Sequence, residues 1–209
     1  MKDYITKTIA VYDTIAKEYA DQIENFAPKK ELNKFVSLLP KNGKILDVGC
    51  AAGRDSFYLA DKGFKVVGID LSEELLKIAR KKGSHVDFQK QDMRKLKFAP
   101  FSFEGIWASA AILHLTRAET PAVLKQFYKL LKIGGNLFIS VKQGEGEADV
   151  REELSGGLSR HFTFFQNNEL KNLLMNAGFK VVEIYSWKKR PRHTDQRDLD
   201  WISCFSKKI

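Results

Sequence analysis

The chain has 209 residues, 44% of them hydrophobic, enough to bury one ordinary core near the upper size limit of a single compact domain. No apolar run approaches the roughly 18 residues of a membrane helix, Met1-Lys2-Asp3-Tyr4 opens no signal region, and Cys50 and Cys204 have neither zinc spacing nor a disulfide framework. These exclusions predict a soluble protein of the reducing cytoplasm with no membrane and no metal, while the net charge of +9 raises the question of an acidic partner.

Ile5, Ile9, Tyr12, Ala16 and Tyr19 recur at helical spacing and predict an N-terminal helix; a second spans Lys29 to Leu39, before the turn Pro40-Lys41-Asn42-Gly43. The first strand, Lys44 to Val48, empties into the small residues that follow, and the second, Lys65 to Ile69, leads to Asp70. Ser72 is placed to cap a helix with Glu73 and Glu74 in its first turn and Lys77, Arg80, Lys81 and Lys82 toward its end at Gly83. Thr116-Arg117-Ala118-Glu119 reads as a capping box, opening a helix that stops at Gly134-Gly135; a strand from Asn136 to Val141 follows. Gln143 to Gly157 reads as a mobile stretch. Beyond it the pattern predicts a helix near Asn168 to Ala177 and two strands, Lys180 to Trp187 and Leu199 to Ser206, joined by a basic loop. Alternating helices and strands of this kind imply a parallel sheet covered on both faces.

The chemistry sits at the strand ends. Gly49, Ala51, Ala52 and Gly53 carry little side chain, so the backbone can turn sharply into a helix and let a ligand approach its N–H groups. Asp70, at the tip of the second strand, is placed to accept hydrogen bonds from a pair of ribose hydroxyls. A dinucleotide is disfavoured: the G-x-G-x-x-G spacing is absent, and Asp47 would repel a pyrophosphate while tolerating a cationic ligand. Asp70 and Asp92 have the plainer alternative of capping the helices after them, although Ser72 is the better cap beside Asp70. Arg54 is a cation in a helix's first turn, where the dipole disfavours it; a ligand carboxylate would explain it, as would a surface position.

In order along the chain, these residues resemble the class I S-adenosylmethionine-dependent methyltransferases of the type 11/25-like group, from about Tyr12 to the C-terminus. Tyr12-Asp13-x-Ile15-Ala16-x-x-Tyr19-Ala20 resembles their N-terminal helix, Asp47-Val48-Gly49-Cys50-x-x-Gly53 their glycine loop, and Gly68-Ile69-Asp70-Leu71-Ser72 their ribose-binding strand end. Gln91-Asp92-Met93 resembles the adenine-binding turn, and Leu131-Lys132-Ile133-Gly134-Gly135 the turn before strand five. The resemblance implies a Rossmann-like, doubly wound α/β fold with a seven-stranded, mostly parallel sheet and an antiparallel C-terminal hairpin strand. It implies one domain, 1–209, with residues 1–40 a helical lid over a core of 41–209. It implies S-adenosylmethionine as cofactor, S-adenosylhomocysteine as product, and cofactor binding by Tyr19, Asp47, Gly49, Ala51, Gly53, Arg54, Asp70, Leu71, Asp92, Met93 and Ser109. Three positions depart from the family pattern: Ala51 replaces a glycine, Glu104 an aspartate and Ile133 a proline. At Ala51 the change is harmless if φ is negative and costs about 1 kcal/mol or more if it is positive.

The same resemblance sets Ser109-Ala110-Ala111-Ile112-Leu113-His114 beside the methyl group and its acceptor. The Asn/Asp-Pro-Pro-Tyr/Phe signature of base-directed amino methylases is absent there. His114 is either a proton acceptor or a packing residue between Leu113 and Leu115; His161 and His193 have no identified partner. The expected reaction is in-line displacement at the sulfonium methyl by N, O or S of a small molecule. The alternative acceptor is tRNA or another RNA, held by Lys188-Lys189-Arg190-Pro191-Arg192-His193, and the tail around Arg160, Phe162 and Trp201 faintly resembles the tRNA wobble-uridine methyltransferases. That basic run predicts an anionic acceptor, unless it is only a solvated loop. A third reading is a cofactor-binding protein without transfer.

Overall fold

The structure is a computed structural model that describes residues 3–152, 155–188 and 200–209. Seven strands form one sheet in the order β3-β2-β1-β4-β5-β9-β8. These are β1 (Lys44–Val48), β2 (Lys65–Asp70), β3 (Asp87–Lys90), β4 (Phe103–Ser109), β5 (Leu131–Lys142), β8 (Phe179–Lys188) and β9 (Asp200–Lys208). A separate hairpin pairs β6 (Glu147–Arg151) with β7 (Ser159–Thr163). The strands β1 to β5 of the sheet run parallel, whereas β9 is antiparallel to both β5 and β8, so β8 regains the direction of β1.

Burial on both faces explains the apolar run of the central strands. Along β4, Ile106 and Ala108 face one core with Leu46, Val48, Phe127 and Leu170; Trp107 faces the other with Phe35, Ile45, Phe138 and Phe205. The first core is closed by α6 (Thr120–Leu130) and α7 (Asn167–Asn176), the second by α3 (Lys29–Ser37), α4 (Arg54–Asp61) and α5 (Glu73–Lys82). The expected cap of α5 is present: Ser72 Oγ accepts the Leu75 N–H at 3.2 Å, with Glu73 and Glu74 in the first turn and Arg80, Lys81 and Lys82 in the last.

Several expected boundaries differ. The N-terminal helix is two helices, α1 (Asp3–Thr14) and α2 (Ala16–Ile23), broken at Ile15. Thr14 Oγ1 bonds the Ala10 carbonyl at 2.7 Å, a side-chain competitor for the backbone ladder at that point. The helix expected to run from Thr116 to Gly134 occupies only Thr120–Leu130. Glu119 does reach back to the Thr116 N–H at 3.1 Å, but Thr116 Oγ1 donates to the same carboxylate, and Pro121 starts the helix at its first turn. Leu131 is already extended and pairs with Phe103, so β5 begins five residues before the predicted strand. The stretch read as mobile contains β6, whose polar run Glu-Ala-Asp-Val-Arg hides a strand anchored by one buried residue, Val150.

Candidate active site

A cavity of about 250 Å³ opens at the carboxyl ends of β1, β2, β4 and β5, where an open α/β sheet places its ligands. The chain exits β1 through Gly49, whose φ of +70° and whose Cβ, if present, would stand 2.8 Å from Ala111 Cβ, make glycine necessary there. The loops after β1 and β4 therefore meet closely. Ala51 and Ala110, one in each loop, hold φ of +49° and +54°, and both line the cavity. The Ala51 departure is thus the costly case, and strained backbone concentrates at functional sites.

Of the residues singled out from the sequence, Tyr19, Asp47, Gly49, Ala51, Arg54, Asp70, Leu71, Met93, Ser109 and His114 line the cavity; Gly53 and Asp92 do not. Asp70 is held by two backbone donors: Oδ2 accepts Ala51 N–H and Oδ1 accepts Ser72 N–H, each at 2.9 Å. Burial raises its pKa. Asp92 instead grips Arg94, with Nη2 to Oδ2 at 2.6 Å, so its carboxylate is turned to an ion pair. Arg54 is likewise occupied, forking onto Asp55 at 2.7 and 3.0 Å and donating to the Ile23 carbonyl at 3.0 Å. Asp47 is buried, accepts Ser56 Oγ–H at 2.5 Å, and is pushed up to about 8 by burial and by the neighbouring Asp55 charge.

His114 has both ring nitrogens engaged. Nδ1 lies 2.8 Å from the His161 carbonyl and must donate to it, so Nε2 accepts the Tyr12 hydroxyl at 2.9 Å. Burial, with Arg160 nearby, lowers its pKa to about 3 and keeps the ring neutral. Tyr12 Oη in turn receives Arg160 Nη1 at 2.6 Å, and Arg160 Nη2 binds Glu152 at 2.7 Å, which also pairs with Lys142. This buried chain fastens α1 to the β4 loop and the hairpin. His161, between Asp149 and Glu147, packs its ring on Tyr4.

Sequence reasoning missed the far wall. Phe138, Ser140, Trp201 and Ser203 line it with Trp187, and Ile23, Phe26 and Pro28 are further lining residues of the cavity. The basic residues Lys189, Arg190, Arg192, His193 and Arg197 lie outside the described residues. Among the described residues no helix is long and apolar enough to cross a membrane, and no cluster of His, Cys, Asp and Glu is suited to a metal ion.

Residues 45–135 match a family described as "Methyltransferase domain". The Bacillus subtilis protein YqeM, whose name assigns methyltransferase activity provisionally, is 33% identical over 146 residues, 67% of this chain and 59% of that protein. The ubiquinone biosynthesis O-methyltransferase of Xylella fastidiosa is 28% identical over 93% of this chain and 95% of its own length. Among solved structures, the Burkholderia thailandensis 1,6-didemethyltoxoflavin-N1-methyltransferase, with 1,6-didemethyltoxoflavin and S-adenosylhomocysteine bound, superposes with a TM-score of 0.70 at 21% identity over 100% of this chain and 91% of that one.

Proposed function

The chain belongs to the class I S-adenosylmethionine-dependent methyltransferases, and from that premise we propose that it methylates an N, O or S atom of a small-molecule acceptor. The observation that carries this reading is one continuous cavity that runs from Asp70 and Met93 past Ser109 to Trp187 and Trp201, under α1 and α2. The acceptors named for the Xylella and Burkholderia proteins support a small molecule.

The donor set fits the cofactor. Asp70, already oriented by two backbone N–H groups, keeps lone pairs for a ribose diol; Leu71 and Met93 offer apolar contact to a base. Gly49 and Ala51 bring the loop backbone to the ligand. Arg54 and Asp92, both paired within the protein, would have to exchange partners before touching it. When bound, S-adenosylmethionine supplies an electrophilic sulfonium methyl group, which an acceptor lone pair takes by in-line displacement. The protein's share is orientation and exclusion of water. In this reading His114, neutral and bonded at both nitrogens, positions Tyr12, and the mechanism assigns it no proton transfer. The cavity is below the roughly 300–1,000 Å³ of typical ligand pockets, so α1 and α2 act as a lid that stands off to admit two ligands and closes over them.

The test is S-adenosylhomocysteine release with pooled metabolites and with total tRNA as separate acceptors. Turnover with the metabolites supports the reading; turnover with tRNA alone moves the acceptor to RNA, and cofactor binding without turnover leaves a binding protein. Hydrogen exchange over residues 4–26 should slow when S-adenosylhomocysteine is added, and equal protection would remove the lid.

A further inference from the structure

We propose that the end of the cavity beyond Ser109 is a site for a planar ring, seated on the Trp187–Trp201 pair, with a lone-pair-bearing ring substituent received by the serine hydroxyls. It rests on the methyltransferase reading and specifies its acceptor.

Strand register builds the site. Ser109 pairs with Ser140 across β4 and β5, and Ser140 pairs with Ser203 across β5 and β9, so three hydroxyls form one row over three strands; all three line the cavity. Two residues outward on the same face, Lys142, Trp201 and Trp187 form the next row. The Trp rings are parallel within 19°, centroids 6.0 Å apart. Trp187 Nε1–H donates to Ser203 Oγ at 2.8 Å, which fixes the indole plane and leaves its face for contact. Flat apolar faces of this kind favour offset or edge contact with another ring.

The serine row has a donor to spare. Ser140 Oγ accepts the Ala110 N–H at 3.1 Å and stands 3.2 Å from Ser109 Oγ. Whichever of the two donates to the other, the second O–H of the pair has no acceptor among the described residues. A phenol oxygen, a ring carbonyl or a ring nitrogen supplies one. Among the described lining residues, the ionisable acids and the arginine, Asp47, Arg54, Asp55 and Asp70, sit toward the cofactor end. Lys142, close behind Trp201, is spent on Glu152.

The experiment titrates the full chain, saturated with S-adenosylhomocysteine, with catechol, 8-hydroxyquinoline, cyclohexanol and phosphoethanolamine, following ligand-observed NMR. The two aromatic probes should bind at least tenfold more tightly than cyclohexanol or phosphoethanolamine. Trp201→Leu should weaken them at least fivefold and Trp201→Phe less than twofold, with S-adenosylhomocysteine affinity within twofold of the parent protein in both. Equal binding of catechol and cyclohexanol overturns the proposal, as does unchanged catechol binding in Trp201→Leu. If Trp201→Leu does not fold, the Phe variant and Ser140→Ala carry the test: Ser140→Ala should narrow the preference of catechol over benzene. Ring binding with no methyl transfer to any acceptor sinks the transferase reading and keeps the ring site. Methyl transfer to phosphoethanolamine without ring binding does the reverse.

Discussion

The two ends of the cavity are built on different principles. At the proposed cofactor end, the Asp70 carboxylate is held by two backbone N–H donors and the Gly49 backbone packs closely on Ala111, in the turns after β1 and β2. At the acceptor end, the cavity wall is hydroxyl and indole, while the charges, Arg160, Glu152 and Lys142, are paired with each other behind it. The difference teaches where each end is vulnerable: one should lose binding when its charge is removed, the other should lose structure.

Arg160→Ala breaks the comparison most forcefully if it is wrong. Arg160 is 3% exposed and bonds both Glu152 and Tyr12, so its loss leaves a partly buried acid short of one partner and α1 short of an anchor. The expected destabilisation is about 3–5 kcal/mol by denaturant unfolding, partly recovered in Arg160→Met with Glu152→Gln. A loss below about 1 kcal/mol would mean that the network is ornamental to the fold.

Asp70→Ala should act mainly on binding: it should weaken S-adenosylmethionine affinity by about 1.5–3 kcal/mol in calorimetry while the free protein stays folded, with a smaller loss of stability from the two backbone N–H groups left without their acceptor. Comparable affinity would remove Asp70 from the cofactor site.

Acid titration sharpens the contrast next. Asp47, pushed up to about 8, keeps its proton in the folded state and loses it near pH 4 when unfolded. Its contribution to stability is therefore fully present below about pH 4 and is lost as pH rises toward 8. Asp47→Asn should flatten that part of the curve of Tm against pH. His114 acts in the other direction, its lowered pKa giving stability that is present above pH 6.5 and lost on acidification toward 3. A parent curve that does not flatten with Asp47→Asn would place the ionisation elsewhere.

The smallest effect is expected at Ala51. Replacing it by glycine relieves a left-handed backbone but loses the methyl group packed beside Ala16, Ala20 and Leu75, so the gain should not exceed about 1 kcal/mol.

How much was legible in the sequence follows the same division. Asp47, Gly49, Ala51 and Asp70 are readable because one strand exit brings them within a few residues of each other or of a matching exit, and contiguous pattern is what a sequence displays. Ser140, Ser203 and Trp201 acquire meaning only through the register of β5 against β9, an antiparallel pairing fixed by the whole sheet. Arg160 and Glu152 were hidden for a related reason, since β6 is polar along most of its length and its pairing with β7 is what orders it. The seven-stranded, mostly parallel sheet with its antiparallel C-terminal strand was implied by the family resemblance; the break at Ile15 and the early start of β5 at Leu131 depended on a local hydroxyl bond and on pairing with Phe103.

The position of β9 has a consequence for how the molecule is made. The last strand in the chain is inserted between β5 and β8, and Lys208 pins it by donating to the Tyr128 and Leu131 carbonyls. During synthesis, β8 therefore emerges before the strand it will pair with exists, and β5 presents a bare, apolar edge until residues 200–208 leave the ribosome. Trp187 and Trp201 come together only when β9 inserts, so the proposed acceptor end of the cavity forms after the turns that follow β1 and β2 have been made.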